Sequence, residues 1–264
     1  MMKQLLKLLL RQPLLWVALL LATCVLALPY ATPLFSSVFP QLDRPLYLQE
    51  PFAWLLWQHV LLVGASSLFS VVVGTAIGVG ITRSSGQAFK PLVESLLATS
   101  QAFPPVAVLA LAVPMVGFGE LPALLALALY GLLPVVQGTV SGLQSVPVLQ
   151  RQAAFSLGLT DSQCLRYIDI PLALPVWLSS VRTSVIINIG TAAIASTVGA
   201  KTLGSPIIVG LSGFNTAYVL QGAVVLALLA VTVDLAFDFI AQRLTTTSRQ
   251  SSHQDLVKTP ASPK

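Results

Sequence analysis

VLLVGASSLFSVVVGTAIGVGIT, residues 60–82, runs without a charged side chain until Arg83 ends it. A helix needs roughly 20 mostly apolar residues to cross about 30 Å of hydrocarbon, and in lipid its backbone groups must bond within their own segment. This stretch qualifies, and five others do too. They are Pro13 to about Tyr30, much of the charge-free run between Glu94 and Glu120, Leu121 to about Val140, about Leu172–Ala200, and about Ala217–Ile240. The expected fold is therefore all-α, a polytopic membrane helix bundle of about six transmembrane helices. Composition points the same way. Of 264 residues, 55% are hydrophobic and 9% charged, where a soluble domain carries about 25% charged residues. Nine acids and fourteen bases are too few to cover the surface of a soluble protein this long.

The net charge of +5 does not imply nucleic acid as a partner. The bases punctuate the apolar runs instead of forming a patch, which is how topology signals are distributed. With the N-terminus in the cytoplasm, the inner segments hold Lys3, Lys7, Arg11, Arg83, Lys90, Arg151, Arg166, Arg243, Arg249, Lys258 and Lys264. The outer segments hold only Arg44 and Lys201, and Arg182 lies inside a span near its cytoplasmic end. This bias predicts a multi-pass inner-membrane protein with both termini cytoplasmic and lipid around it. A basic start before an apolar stretch also fits a cleaved signal peptide, but five further spans favour an anchor. Three regions follow: 1–51, an anchor helix and periplasmic loop; 52–243, the transmembrane domain; and 244–264, a polar tail without periodicity that is expected to be disordered. Cys24 lies in an apolar run and Cys164 in a polar loop, so no disulfide between them is expected.

Within the spans, Gly74 and Gly78 form a G-x-x-x-G pair, and Gly190, Ala192, Ala193, Ala195, Ser196 and Gly199 line the fifth span. Small residues let helix backbones approach closely. Pro104, Pro105, Pro114, Pro134 and Pro175 fall in or beside spans and should bend them. Asp234 and Asp238 sit one turn apart near the cytoplasmic end of the last span, with Arg243 near enough to help. The central thirds of all six spans carry no charge, which argues against an ion-coupled secondary transporter. His59 and His253 are the only histidines, and neither an H-E-x-x-H nor a G-x-x-x-x-G-K-[ST] motif occurs. The chain is therefore expected to be no enzyme, to bind no metal or cofactor, and not to hydrolyse ATP itself.

Residues 141–171, SGLQSVPVLQRQAAFSLGLTDSQCLRYIDIP, form a long, half-apolar loop on the cytoplasmic side. The pattern predicts a helix over about Pro147–Leu157 and a left-handed turn at Gly158. A capping box from Thr160 to Gln163 then starts a second helix, which Pro171 should stop. Gln152-Ala153-Ala154, three residues, Gly158, nine residues, Ile168, one residue, then Ile170-Pro171 resembles the "EAA" loop of ABC importer permeases. The spacing is kept in full; Gln152 stands where that family has Glu, and Ile170 where it has Leu. In such permeases this loop docks into a groove of a cytoplasmic ATPase, so Gln152, Ala153, Ala154, Gly158, Ile168, Ile170 and Pro171 are the coupling residues the resemblance implies.

Residues 101–143 and 182–223 are also similar to permeases of osmoprotectant importers, the glycine betaine and choline group, over roughly 52–243. Lys201-Thr202 stands where many of those permeases have Gly-Gly. The resemblance implies separate ABC ATPase subunits, a second permease subunit (self or paralogue) and a periplasmic substrate-binding protein as partners. It implies translocation of glycine betaine or a related osmoprotectant; another small solute, such as an amino acid, is the alternative. Asn188, Thr191, Ser196 and Thr197 are candidates for an uncharged polar pathway lining, or equally for bonding between helices. Tyr47, Phe52, Trp54 and Trp57 read as an interfacial aromatic belt rather than a ligand cage.

Overall fold

The computed structural model describes residues 13–257. Its helices are α1 (Pro13–Ala27), α2 (Thr32–Val38), α3 (Phe52–Thr82), α4 (Lys90–Ala102), α5 (Pro105–Val116) and α6 (Glu120–Gln144), followed by α7 (Val148–Ser156), α8 (Asp161–Cys164), α9 (Ile170–Ile194), α10 (Ser205–Ser212) and α11 (Thr216–Val257). Five helical runs are long and apolar enough to cross a membrane: Pro13–Tyr30, Phe52–Thr82, Glu120–Gln144, Asp161–Val198 and Thr216–Leu244. The run expected to supply a further span is broken at Phe103–Pro104 into α4 and the 12-residue α5. Two consecutive prolines explain the break, because Pro105 cannot donate its backbone N–H and forces Pro104 to be extended (ψ 141).

The centre of the bundle is α6, flanked by α3 and α9. Contact there depends on glycine. A Cβ at Gly74 would lie 3.0 Å from the Val135 side chain, and one at Gly78 would lie 2.6 Å from Thr139 Cβ. The G-x-x-x-G pair thus faces α6, as small residues between membrane helices should. Gly138 of α6 does the same toward α9, where a Cβ would be 1.9 Å from Ser180 Oγ. Replacing Gly78 with Ile is expected to cost about 1–3 kcal/mol by overpacking, measurable as a lower unfolding temperature of the purified chain in detergent. Wild-type stability in that variant would refute the close α3–α6 packing.

Uncharged hydrogen bonds stitch the same three helices. Ser70 Oγ donates to the Ala128 carbonyl at 2.9 Å, Ser184 Oγ to the Gly131 carbonyl at 2.9 Å, and Trp177 Nε1 to Thr75 Oγ1 at 2.9 Å. Around this centre, α1 packs on α11, and α10 folds back against α11.

Two expectations change here. Pro171 does not end a helix. It sits in the first turn of α9, and the chain from Asp161 to Val198 is helical throughout, passing through a π-helical segment at Leu165–Asp169. A widened π turn supplies the backbone rearrangement that a proline without a donor requires. The tail expected to be disordered from residue 244 is helical as far as Val257, because extending an existing helix costs far less than nucleating one. The basic start, Lys3, Lys7 and Arg11, and residues 258–264 lie outside the described residues.

Candidate functional site

Helix α7 begins after Pro147, whose extended backbone (φ −60, ψ 133) leads into it. It ends in a Schellman turn: the Leu159 N–H donates to the Ala154 carbonyl at 3.1 Å, and the Gly158 N–H to the Phe155 carbonyl at 2.9 Å. Gly158 takes φ +83, a left-handed conformation that glycine adopts without strain. Two residues later the chain starts again. Gln163 N–H donates to Thr160 Oγ1 at 3.4 Å and the Thr160 N–H to Gln163 Oε1 at 2.9 Å, which completes the capping box expected from the sequence.

Folding α7 back on the start of α9 brings Ala153, Ala154, Ile168 and Pro171 around one apolar hollow of about 400 Å³, with Leu157 and Tyr167 at its walls. Gln152, Gly158 and Ile170 stand at the surface, while Ala154 is buried. Val148, Leu149, Phe155 and Leu157 are also exposed. Apolar side chains on a loop projecting from the bundle make a surface suited to another protein.

An ion-pair knot that sequence reading missed fixes the loop to the bundle. Asp169, in the π turn, is buried and accepts from Arg151 Nε of α7 at 2.7 Å and from Arg83 Nη2, just past α3, at 3.5 Å. Arg151 Nη2 also donates to the Leu143 carbonyl at the end of α6. One carboxylate therefore joins the loop to α3, and its arginine joins it to α6. A lone acid in the apolar stretch Tyr167–Pro171 was the available signal.

The four pathway candidates all lie along the helical run Asp161–Val198. Asn188 is fully buried between helices and donates to Ser67 Oγ at 3.0 Å. Thr191 is partly buried, and Thr197, at the surface, donates to the carbonyl of Ile194 in its own helical run at 2.7 Å. Ser196 shares hydrogen bonds with Thr202 Oγ1 at 2.8 Å and Ser205 Oγ at 3.3 Å. Asp234 and Asp238 are held by Arg182 across the α9–α11 contact, through Arg182 Nε to Asp234 Oδ1 at 2.6 Å and Arg182 Nη1 to Asp238 Oδ1. Arg243, expected to be near enough to help, also lies over the Phe239 ring at 4.9 Å. Of the four aromatics expected at the interface, Trp54 and Trp57 are exposed, but Tyr47 and Phe52 are buried. The Tyr47 ring meets Phe52 and Tyr218 edge to face, at 5.9 and 5.4 Å between centroids. Burial first, then the hydrogen bond to Glu50, holds the Tyr47 hydroxyl above the ordinary tyrosine range in pKa.

Residues 70–246 match the family described as binding-protein-dependent transport system inner membrane component. The chain is 36% identical to the osmoprotectant import permease protein OsmY of Salmonella typhimurium over 196 residues, 74% of this chain and 83% of that one. It is 37% identical to OsmW of the same organism over 75% of this chain and 92% of that one. Against the choline transport system permease protein OpuBB of Bacillus subtilis the identity is 30%, over 74% and 88%. Among solved structures, the inward-facing MetNI methionine ABC transporter superposes with a TM-score of 0.66 at 23% identity, covering 75% of this chain and 99% of that one. At that identity the likeness concerns the fold.

Proposed function

This chain belongs to the family of binding-protein-dependent transport system inner membrane components, and on that premise we propose that the solute it carries is glycine betaine or a closely related osmoprotectant. It is a multi-pass permease of an ABC importer of the osmoprotectant uptake type. Its likeness to osmoprotectant permeases across three-quarters of its length carries the choice of solute. The ion-coupled alternative loses its footing with that membership, and the amino-acid alternative has only fold-level likeness behind it.

In this reading the loop of α7 and α8 lies in the cytoplasm, together with both chain termini, and receives a separate ATPase subunit against Ala153, Ala154 and the exposed apolar residues beside them. Closure of two ATPase subunits on ATP pulls each loop. Each loop shifts α9, to which it is helically continuous, against α6, and the pathway opens outward. Uncharged glycine and serine contacts between α3, α6 and α9 suit such sliding, because no ion pair must be desolvated or broken at their centre. A periplasmic binding protein delivers the solute, and hydrolysis returns the complex inward. One chain offers one loop, so a second permease, a copy or a paralogue, completes the importer across a two-fold axis.

The expected result is that the chain alone, reconstituted in vesicles, takes up no glycine betaine, whereas adding its ATPase, the paralogous permease where the pair is not two copies, the binding protein and ATP starts uptake. Uptake without ATPase would defeat the importer assignment. ATP-driven uptake of amino acids but not of betaine would defeat the solute alone.

A further inference from the structure

At the end of the bundle opposite the motif loop, a small open cavity of about 110 Å³ forms where several segments meet. The stretch before α3 contributes Tyr47 and Glu50, the end of the α9 run contributes Ser196, the following turn contributes Lys201, and α10 contributes Ser205. Lys201 Nζ donates to Glu50 Oε1, and the Tyr47 hydroxyl donates to Glu50 Oε2 at 2.7 Å.

The acid is the fixed member of this pair. Tyr47 is buried, its ring is wedged against Phe52 and Tyr218, and its backbone N–H donates to Gln221 Oε1 at 3.1 Å. The Glu50 side chain is 19% exposed and that of Lys201 52%, so the base is free to swing. The hydroxyls of Ser196, Thr202 and Ser205 hydrogen-bond one another at the cavity's edge, held by Thr202 Oγ1 donating to the Ala192 carbonyl at 3.0 Å. An ion pair this exposed adds little stability, yet its carboxylate is unusually well positioned. A rigid acid and a mobile base at one small cavity are complementary to a small molecule bearing both charges.

We propose that this cavity is a binding site for a small zwitterion bearing a quaternary ammonium and a carboxylate. The ligand's ammonium takes the place of the Lys201 amine against Glu50, and Lys201 turns to the ligand's carboxylate, so every charge stays paired through the exchange. The inference rests on the osmoprotectant reading and goes beyond it by giving the permease its own solute site on its periplasmic side. It also gives a role to Lys201.

The test uses the importer assembled on the full chain with its ATPase and binding protein, and compares uptake of glycine betaine with uptake of choline, the same ammonium without the carboxylate. The binding protein's own preference is common to all variants, so a change in the ratio of the two reports on the permease. Lys201→Gln is expected to shift that ratio about tenfold toward choline, the worth of one charge-assisted contact. Lys201→Arg should keep the wild-type ratio, and Glu50→Gln should lower uptake of both solutes per assembled complex. An unchanged ratio in Lys201→Gln, or an equal loss of both solutes, overturns the site and leaves the osmoprotectant reading standing. If wild-type importer carries betaine but not choline, the site requires that Gln lose betaine uptake and Arg restore it; equal uptake in all three overturns it. Wild-type importer that carries neither solute overturns site and reading together.

Discussion

Exchanging Asp169 for Asn is expected to destabilise the folded chain by about 2–3 kcal/mol, because removing one partner of a buried ion pair leaves the other charge uncompensated. The estimate sits below the usual range for such a loss since the arginine side chains are about a third exposed, 32% for Arg151 and 31% for Arg83, whereas that of Asp169 is 3% exposed. Arg151 would lose its 2.7 Å contact, and the loop would keep only the arginine's bond to the Leu143 carbonyl as a polar tie to α6. Arg83→Gln should cost less, because its contact is 3.5 Å long. Thermal unfolding in detergent would rank the two. A milder effect for Asp169→Asn than for Arg83→Gln would mean that the carboxylate is not the hub of this knot.

Gly158→Val carries the second large effect, and it acts through the backbone alone. A Cβ there meets nothing within 4 Å, so no collision is created. The cost is the φ of +83, which a β-branched residue tolerates only at about 1–3 kcal/mol. The Schellman turn would open, and α7 would no longer return onto Ile168 and Pro171. If the loop receives the ATPase, ATP-driven uptake should fall by roughly tenfold or more, in proportion to the free-energy cost, while the amount of chain inserted in the membrane stays at the wild-type level. Gly158→Asn, which accepts a left-handed backbone more readily, should recover most of the loss. Full ATP-driven uptake in the valine variant would remove the loop from the coupling role.

These two residues also mark how far the sequence could be read. Gly158 and the Thr160–Gln163 box were legible because helix ends are written locally, by residues within one turn of each other. Five of the six expected spans were legible for the same reason, length and apolarity being properties of a single segment, while the run between Glu94 and Glu120 is divided at Pro104-Pro105. Asp169 and Arg182 were not. Their partners lie on other segments, 86 and 18 residues away for Asp169 and 52 and 56 for Arg182, and the packing of those segments against one another brings them together. An aromatic beside a span normally lies at the interface, but Gln221 and Tyr218, far along the chain, draw Tyr47 inside. Pro171 shows the opposite limit. Its local meaning, a helix stop, was overridden by a π turn that no short-range pattern announces.

The unbroken helix from Asp161 to Val198 has a final consequence. At 1.5 Å per residue its 38 residues would form a rod of about 57 Å, with the loop at one tip and Ser196, beside the Glu50–Lys201 pair, near the other. In the proposed coupling role such a rod would carry a displacement of the loop along its length, since each turn is hydrogen-bonded to the next. The single wide turn at Leu165–Asp169 is then its universal joint, pinned by Asp169, and stiffening that joint should change the timing of transport before it changes the solute chosen.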